Sequence, residues 1–275
     1  MSNSSPDSEA SPLPRLDTTV PHSARIWNYW LGGKDNFAVD RAAGDQFLAT
    51  FPDIAVVARA TRAFMGRAVR YLAGEAGIRQ FLDIGTGLPT ADSTHQIAQQ
   101  VAPESRIVYA DNDPVVLLHA HALLRSTPQG RTDYLDADLC DPGAIIAGAA
   151  KTLDLARPVA VMLLGVLGHV TDDGQAQSIV RALMDSVLPG SYLVLSDGTN
   201  VVHGSQGQAA QDDYNDSGAE PYCLRSPELI ARFFDGLDLV EPGVVSCPRW
   251  RPAVSSLGGT PPAEIDAFCG VGRKP

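Results

Sequence analysis

From residue 80 onward, short apolar segments alternate along the chain with amphipathic ones. Five of the apolar segments are typical of buried strands, since many of their residues are β-branched: "QFLDIG", "SRIVYADND", "TDYLDADLCDP", "PVAVMLLGVLGHV" and "SYLVLSDGT". The segments between them predict helices; in residues 171–190, for example, Ile179, Leu183 and Val187 are four residues apart. This alternation predicts an α/β protein in which helices cover both faces of a parallel sheet.

The pattern changes after the fifth predicted strand. A polar segment, "NVVHGSQGQAAQDDYNDSGAEPYCLRS", has few large aliphatic residues. Segments of this length inside a compact domain are commonly functional lids or disordered loops, so we expect either a flexible lid or a solvated loop here. The chain then resumes with a predicted helix, "PELIARFFDGL", and two strands, "DLVEPGVVS" and "AFCGVGRK", which could form a hairpin at one edge of the sheet.

Residues 1–78 differ from the rest of the chain. Residues 1–20 are polar and rich in serine and proline, which predicts a disordered tail. Residues 21–78 contain three helix-like segments, which predict a helical cap: "SARIWNYWLGG", "AVDRAAGDQFLATF" and "DIAVVARATRAFMGRAVRYLAGEAG". In the third helix the apolar residues follow helical spacing and most basic residues lie elsewhere. We interpret four basic residues as a solvated face: Arg59, Arg62, Arg67 and Arg70. Contact of these residues with an anionic partner is the alternative.

Composition and charge exclude several kinds of protein. The chain has 21 Lys and Arg against 32 Asp and Glu, a net charge of −11, which argues against a nucleic-acid partner. No apolar run approaches the roughly 20 residues of a membrane helix, and the first residues lack a signal-peptide pattern, so we expect a cytoplasmic protein without a membrane partner. The four cysteines show no C-x-x-C spacing, which predicts reduced thiols and no metal site.

The first three predicted strands each end on or near an acidic residue: Asp83, Asp111 and Asp138. Because ligands of open parallel sheets bind beyond the carboxyl ends of the strands, we expect the three carboxylates to share one site. Gly85 and Gly87 follow the first strand and let the chain turn tightly against a ligand. Such a row of carboxylates suits a positively charged nucleoside and repels a pyrophosphate.

A dinucleotide site is the main alternative interpretation of this stretch. It would need the pattern G-x-G-x-x-G, whereas the chain has D-x-G-x-G-x-P, with Pro89 in place of a third glycine. An NAD-dependent oxidoreductase is therefore the second functional hypothesis. The acids could also be only helix caps or turn residues, which is the better interpretation for Asp113, immediately before Pro114.

Five motifs, in this order along the chain, resemble those of the class I S-adenosylmethionine-dependent methyltransferases: "FLDIGTGLP", "YADNDP", "DADL", "LLGVLGHVTD" and "LPGSYLVLSD". The N-terminal "PHSARIWNYWLGGKDNFAVDR" is similar to the actinobacterial S-adenosyl methyltransferase family, formerly a domain of unknown function. The resemblance implies a Rossmann-like, seven-stranded, mostly parallel sheet of order 3-2-1-4-5-7-6 with an antiparallel last strand. It also implies a methyltransferase domain at residues 79–275 and S-adenosyl-L-methionine as cofactor. The matching positions imply these cofactor-binding residues: Asp83, Gly85, Gly87, Asp111, Asn112, Asp138 and Leu139.

The function that we expect is methyl transfer to a small-molecule acceptor, such as a secondary metabolite. Asp111 would accept the ribose hydroxyls of the cofactor, and Asp138 with the backbone N–H of Leu139 would meet the adenine. His169, after the fourth strand, is the candidate general base, and orienting the cofactor or capping the next helix are the alternatives. His203, in the polar segment, is a candidate substrate-binding residue.

The N-terminal motif supplies further candidates. We expect this segment to close over the cofactor, so that Arg25 or Lys34 meets the methionine carboxylate and Tyr29 and Asn36 meet the methionine or the acceptor. The alternative is a surface helix whose tryptophans are buried and whose polar residues face water. A non-catalytic S-adenosylmethionine-binding protein is a third functional hypothesis, and the sequence leaves the oligomeric state open.

Overall fold

The structure, a computed structural model, describes residues 17–89, 92–123, 126–252 and 260–275. Most of the expected tail, residues 1–16, lies outside the described residues. The strands are β1 (Gln80–Ile84), β2 (Arg106–Asp111), β3 (Arg131–Asp136), β4 (Ala160–Leu164), β5 (Tyr192–Gly198), β6 (Asp238–Leu239), β7 (Val245–Ser246) and β8 (Ala267–Arg273). The helices are α1 (Ser23–Trp30), α2 (Ala38–Thr50), α3 (Ile54–Gly74), α4 (Thr94–Val101), α5 (Pro114–Leu123), α6 (Pro142–Ala149), α7 (Asp173–Asp185), α8 (Ser205–Asp216) and α9 (Pro227–Arg232). Two short 3₁₀ turns span Leu167–His169 and Cys247–Arg249.

The strands form one mixed sheet in the order β3-β2-β1-β4-β5-β8-β6. β1–β5 are parallel, and β8 runs antiparallel beside β5. β6 and β7 each pair antiparallel with β8. The Rossmann-like methyltransferase fold is therefore confirmed, with β8 in the place of the expected antiparallel last strand.

The C-terminal part of the sheet differs in one detail from the prediction. The segment "DLVEPGVVS" forms two strands of two residues, β6 and β7, where one strand was expected. Pro242 has no backbone N–H to donate to a strand, and Gly243 has a φ of +85°, which turns the chain away from extended geometry. Both short strands still pair with β8, as the expected hairpin requires.

Hydrophobic side chains cover both faces of the sheet. On one face, strand residues such as Phe81 and Met162 belong to the same core as the apolar residues of α1–α4. On the other face, residues such as Leu82 and Val161 pack with α6, α7 and α9. The predicted coverage of both faces is therefore confirmed, and the N-terminal helices share one core with the sheet. Within the described ranges, every helix is too short or too polar to cross a membrane.

The four arginines of α3 lie in different environments. Arg59 and Arg70 are exposed, as expected for a solvated face. Arg67 instead donates hydrogen bonds to the C-terminal segment, including one of 2.7 Å to the Cys247 carbonyl oxygen. Arg62 lies at the ligand side of the sheet. The interpretation as a solvated face is wrong for the last two, because α3 packs between the C-terminal segment and the strand ends.

The polar segment after β5 contains a helix. The expectation of a structureless lid or loop is wrong for Ser205–Asp216, which forms α8 and packs against α2. The ring of Tyr214 lies 6.1 Å from that of Phe47. The buried residues of α8 follow the i, i+3, i+4, i+7 spacing of one helix face, but small and polar side chains conceal that pattern in the sequence: Gly207, Ala210, Gln211 and Tyr214.

Candidate active site

A cavity of about 270 Å³ lies at the carboxyl ends of the parallel strands. One side is formed by the ends of β1, β2, β4 and β5 and by the segments that follow the strands. The other side is formed by α1, α2, α3 and α8. Open parallel sheets bind ligands in this position, so the cavity is the candidate active site.

Eight of the residues predicted from the sequence line this cavity. They comprise all seven of the residues in the strand-end motifs and the candidate base: Asp83, Gly85, Gly87, Asp111, Asn112, Asp138, Leu139 and His169. The topology explains their convergence, since β3, β2, β1 and β4 are neighbours and their carboxyl ends meet at one edge.

Asp83 is a buried carboxylate in the middle of this edge. It lies in β1, is 5 % exposed and accepts a hydrogen bond of 2.6 Å from the Thr94 hydroxyl. Burial raises the pKa of Asp83 to about 6, and the Thr94 hydrogen bond and the nearby charge of Arg62 oppose that rise. A positively charged ligand group in the cavity would relieve the cost of burying this charge.

Asp111 connects the end of β2 to the glycine turn after β1. Its two carboxylate oxygens accept hydrogen bonds from the Gly87 N–H at 2.8 Å and the Asp113 N–H at 3.0 Å. Burial also raises the pKa of Asp111. Asp113 in turn accepts a hydrogen bond from the Val115 N–H at 2.8 Å, near the start of α5, as expected for a helix cap.

The turn after β1 depends on glycine. Gly85 and Gly87 have φ angles of +69° and +63°, which residues with a Cβ rarely adopt. A Cβ on Gly85 would also lie 2.3 Å from a side-chain carbon of Val166, in the turn after β4. The two turns therefore approach each other closely at the floor of the cavity.

The N-terminal motif lines the cavity with different residues from those predicted. The cavity-lining residues of α1 include Trp27, Asn28 and Trp30. Arg25 points elsewhere: it donates a hydrogen bond of 2.7 Å to the Val20 carbonyl oxygen and lies 3.2 Å from Asp40. The geometry thus places Arg25 in a structural role, and it does not line the cavity.

The other predicted residues of this motif also lie away from the cavity. Tyr29 donates a hydrogen bond of 2.6 Å to Asp45. Asn36 donates a hydrogen bond of 2.9 Å to Asn28, and Lys34 is exposed. The motif lies over the strand ends, but the sequence did not show which face of α1 turns inward.

His203 lies behind the cavity wall. Its Nδ1 is 2.7 Å from Asp266 and its Nε2 is 3.2 Å from Asp53. Asp266 lines the cavity, whereas His203 does not. Asp266 also accepts a hydrogen bond of 2.8 Å from the Val202 N–H, so the pair fixes the turn after β5.

Arg62 is a site residue that the sequence interpretation missed. It lines the cavity next to Asp83, and its Nε is buried without a hydrogen-bond partner among the described residues. Burial lowers the pKa of Arg62, and the Asp83 charge opposes that shift. A buried guanidinium donor with no protein acceptor is available for an anionic group of a ligand. Arg62 directly follows Thr61, which lies on the buried face of α3, and this position could have indicated its role from the sequence.

A second missed group begins at the end of β5. Asp197 lines the cavity and accepts hydrogen bonds from the Tyr222 hydroxyl and from Arg225 Nη1, the latter at 3.0 Å. Burial raises the pKa of Asp197, and these two partners oppose the rise. The signal was present in "LSDG", since Asp197 is another acid at the end of a predicted strand.

His169 is held in one orientation. Its Nδ1 lies 3.0 Å from the Pro221 carbonyl oxygen, and its ring packs edge-on against Tyr222 at 5.0 Å. A carbonyl oxygen only accepts, so Nδ1 carries the proton in this contact, and in the neutral ring Nε2 has the lone pair. Arg225 steadies the same turn through hydrogen bonds to the Leu167 and Val170 carbonyl oxygens at 2.9 and 2.5 Å.

Comparison with known proteins identifies the family. A family model described as S-adenosyl methyltransferase matches residues 9–275. The chain belongs to the S-adenosyl methyltransferase family. It is therefore a methyltransferase whose cofactor is S-adenosylmethionine, as predicted, and the match argues against the hypothesis of an NAD-dependent oxidoreductase. No curated protein matches the chain.

Two solved structures are similar to this methyltransferase over almost its whole length. A DUF574 family protein from Streptomyces avermitilis is 45 % identical, covers 95 % of this chain and 100 % of its own, and superposes with a TM-score of 0.89. A protein from Thermobifida fusca, provisionally described as a methyltransferase, is 39 % identical, covers 96 % of this chain and 98 % of its own, and has a TM-score of 0.85.

The residues of the cavity fit S-adenosylmethionine, which carries an ammonium, a carboxylate and a sulfonium group. Asp83 offers a buried negative charge and Arg62 a buried donor without a protein partner. Asp111 and Asp138 lie at the ends of the next two strands in the sheet. Positive and negative groups of a bound ligand would thus meet side chains of opposite charge.

Proposed function

We propose that this methyltransferase acts on a small-molecule acceptor of secondary metabolism. The observation that carries the proposal is the cover over the cavity, because α1, α2 and α8 stand over the strand ends and leave a partly open space of about 270 Å³. A polymer would need a longer surface without such a cover. The net charge of −11 also opposes nucleic acid as acceptor, and the four free cysteines support the expected cytoplasmic location.

The cofactor residues are assigned from the cavity wall. When bound, S-adenosylmethionine supplies a methyl group activated by the sulfonium. We assign Asp83 and Arg62 to the ammonium and carboxylate of the methionine end. Asp111 is assigned to the ribose hydroxyls, and Asp138 with the Leu139 N–H to the adenine. Gly85 and Gly87 keep the adjoining backbone free of side chains.

His169 is assigned as the general base. In the neutral ring the Nε2 lone pair is available, because Nδ1 donates to the Pro221 carbonyl oxygen. Orienting the cofactor is the alternative role. His169→Gln distinguishes the two roles: a base leaves the dissociation constant of S-adenosylmethionine unchanged, whereas an orienting residue weakens binding when it is replaced. Isothermal titration of both proteins measures this difference.

Thermal unfolding in the presence of candidate cofactors tests the proposed cofactor site. A ligand at a concentration 100 times its dissociation constant stabilises the folded state by about 2.7 kcal/mol, which raises the Tm of a protein of this size by about 5 °C or more. We expect this rise with S-adenosylmethionine and S-adenosylhomocysteine and none with NAD. A rise with NAD alone, or with none of the three, contradicts the proposed function.

A further inference from the structure

An aromatic wall, formed by residues of the helical cap and of α8, lines one side of the cavity. The rings of Trp27 and Trp30 are 5.6 Å apart, those of Trp30 and Phe47 are 5.1 Å apart, and Phe47 contacts Tyr214 at 6.1 Å. Asn215, next to Tyr214 in α8, donates a hydrogen bond of 3.0 Å to the backbone of Tyr222. The wall therefore continues from α1 to the segment beside His169.

The part of the cavity beside this wall adjoins the ends of β4 and β5, since Tyr222 packs against His169 and donates a hydrogen bond to Asp197. We call this part the acceptor chamber and define it by six lining residues: Trp27, Phe47, His169, Ser196, Tyr214 and Tyr222. Its aromatic faces suit a ligand whose bulk is apolar or aromatic.

The charge around the whole cavity is negative. The described residues that line the cavity carry six carboxyl groups and one guanidinium. The guanidinium is that of Arg62, and it lies beside Asp83. Arg225 compensates Asp197, and donors including the Val202 and His203 N–H groups compensate Asp266. Among the described residues of the chamber wall, no basic side chain is free to pair with an anionic acceptor.

Glu220 supplies a charge that the protein does not compensate. It lines the cavity, is exposed, and forms no hydrogen bond or ion pair with the described residues. It precedes Pro221, whose carbonyl oxygen holds His169, and its charge contributes to raising the pKa of Tyr214. A carboxylate beside aromatic faces favours an ammonium group, through both ion pairing and cation–π contact.

Ser196 adds an independent indication of a polar ligand atom. Its hydroxyl is buried in β5, lines the cavity and has no hydrogen-bond partner among the described residues. A buried hydroxyl without a partner costs free energy unless a ligand or water meets it. The hydroxyl can accept a hydrogen bond from an N–H group at the chamber floor.

From these observations we infer that the methyl acceptor is an amine carried on an aromatic or apolar scaffold, bound in the acceptor chamber. This inference rests on the proposed function of the site. The ammonium form is attracted by Glu220, and His169 Nε2 takes its proton to free the nitrogen lone pair. That lone pair forms the N–CH₃ bond while the S–CH₃ bond breaks. The electron pair of the broken S–CH₃ bond stays on sulfur. The products are S-adenosylhomocysteine and a methylated ammonium.

Three ligands of matched shape and different charge test the inference. The full-length enzyme, saturated with S-adenosylhomocysteine, is titrated calorimetrically at pH 7.5 with 2-(1-naphthyl)ethylamine, 2-(1-naphthyl)ethanol and 1-naphthylacetate. We expect the amine to bind about tenfold more tightly than the alcohol, and the carboxylate to bind most weakly. Equal affinities, or a preference for the alcohol or the carboxylate, overturn the inference.

A pair of variants tests whether the preference arises in the chamber. Glu220→Gln is expected to remove most of the preference for the amine and to leave the affinity of the alcohol unchanged. Asp216→Asn, an exposed acid near the end of α8 that does not line the cavity, serves as the matched control and should keep the preference. A preference that survives in Glu220→Gln overturns the assignment to the chamber.

The binding of S-adenosylhomocysteine, measured first, separates the two proposals. If S-adenosylhomocysteine fails to bind, the proposed function fails, and the amine inference fails with it. If S-adenosylhomocysteine binds and the three ligands show no preference for the amine, only the inference about the acceptor is wrong.

Discussion

At the scale of single residues, Asp83 combines a stability cost with a binding role. Its carboxyl is buried, and burial raises its pKa from 3.8 to about 6. The folded protein therefore holds this proton more tightly than the unfolded chain does. The contribution of Asp83 to the free energy of unfolding falls as the pH rises between these two pKa values, and it stays low above them.

Asp83→Asn should therefore stabilise the ligand-free enzyme at pH 8 and abolish its stabilisation by S-adenosylmethionine. The shift in pKa corresponds to at most about 3 kcal/mol, and the lost attraction to Arg62 reduces the gain. At pH 4 the variant and the wild type should unfold at nearly the same temperature. Thermal unfolding at the two pH values, with and without cofactor, measures both effects.

The matched control is Asp136→Asn, an exposed acid at the end of β3 that does not line the cavity. This variant should keep the stabilisation by the cofactor. A lower melting temperature of Asp83→Asn at pH 8 would show that the buried charge is compensated within the protein.

Arg62 is the second residue whose role can be isolated. We expect Arg62→Ala to weaken S-adenosylmethionine binding by at least about tenfold, since a charged hydrogen bond contributes about 1.5–3 kcal/mol. Arg59→Ala removes an exposed arginine three residues earlier on α3 and should leave the dissociation constant unchanged. Isothermal titration compares the two variants, and equal affinities would remove Arg62 from the cofactor site.

The roles of some of these residues are easier to predict from the sequence than those of others. Asp83 and Asp111 could be predicted because a strand has a simple period and its carboxyl end is easy to locate. Arg25 and Arg62 could not be assigned correctly, because both helices carry polar residues on more than one face. Which face turns inward depends on tertiary packing that no local pattern contains.

At the scale of elements, the floor of the site depends on two turns in contact. The turn after β1 and the turn after β4 meet where Gly85 faces Val166. The second turn carries His169 and is held by Arg225 through two carbonyl oxygens. A change in either turn should therefore affect both the cofactor and the acceptor parts of the cavity.

Gly85→Ala tests this contact. Its φ of +69° is unfavourable for alanine, and the added Cβ would lie 2.3 Å from Val166. Gly77→Ala is the control, because Gly77 has a similar φ of +71° with open space around its Cβ position. We expect the control to lose about 1–2 kcal/mol of stability. Gly85→Ala should lose clearly more, together with cofactor binding, when both are measured by denaturant unfolding and titration.

Equal losses of stability in the two variants would contradict this view of the floor, because the backbone strain alone would then explain both.

Helix α8 shows why an element can be hidden in a sequence. Its inward face consists of glycine, alanine, glutamine and tyrosine, so the apolar period that identifies a helix is absent. The helix forms because it packs against α2, and Tyr214 then completes the aromatic wall. The fold class was predictable from strand periodicity, whereas this part of the site required the packed structure.

At the scale of the whole molecule, the cavity exists only because distant parts of the chain meet. Strand ends from the centre of the sheet supply the acids, and helices near the N-terminus and after β5 supply the aromatic wall. The aromatic wall belongs to the hydrophobic core on one face of the sheet, which also includes residues of β1 and β4. We propose that the cofactor lies along the ends of β1, β2 and β3 and leaves the β4 and β5 side to the acceptor.

A crystal structure of the enzyme with S-adenosylhomocysteine tests this claim most directly. The account predicts electron density beside Asp83, Asp111 and Arg62, with the acceptor chamber open to a second ligand. Density for S-adenosylhomocysteine within the acceptor chamber, or outside this cavity, would contradict the account.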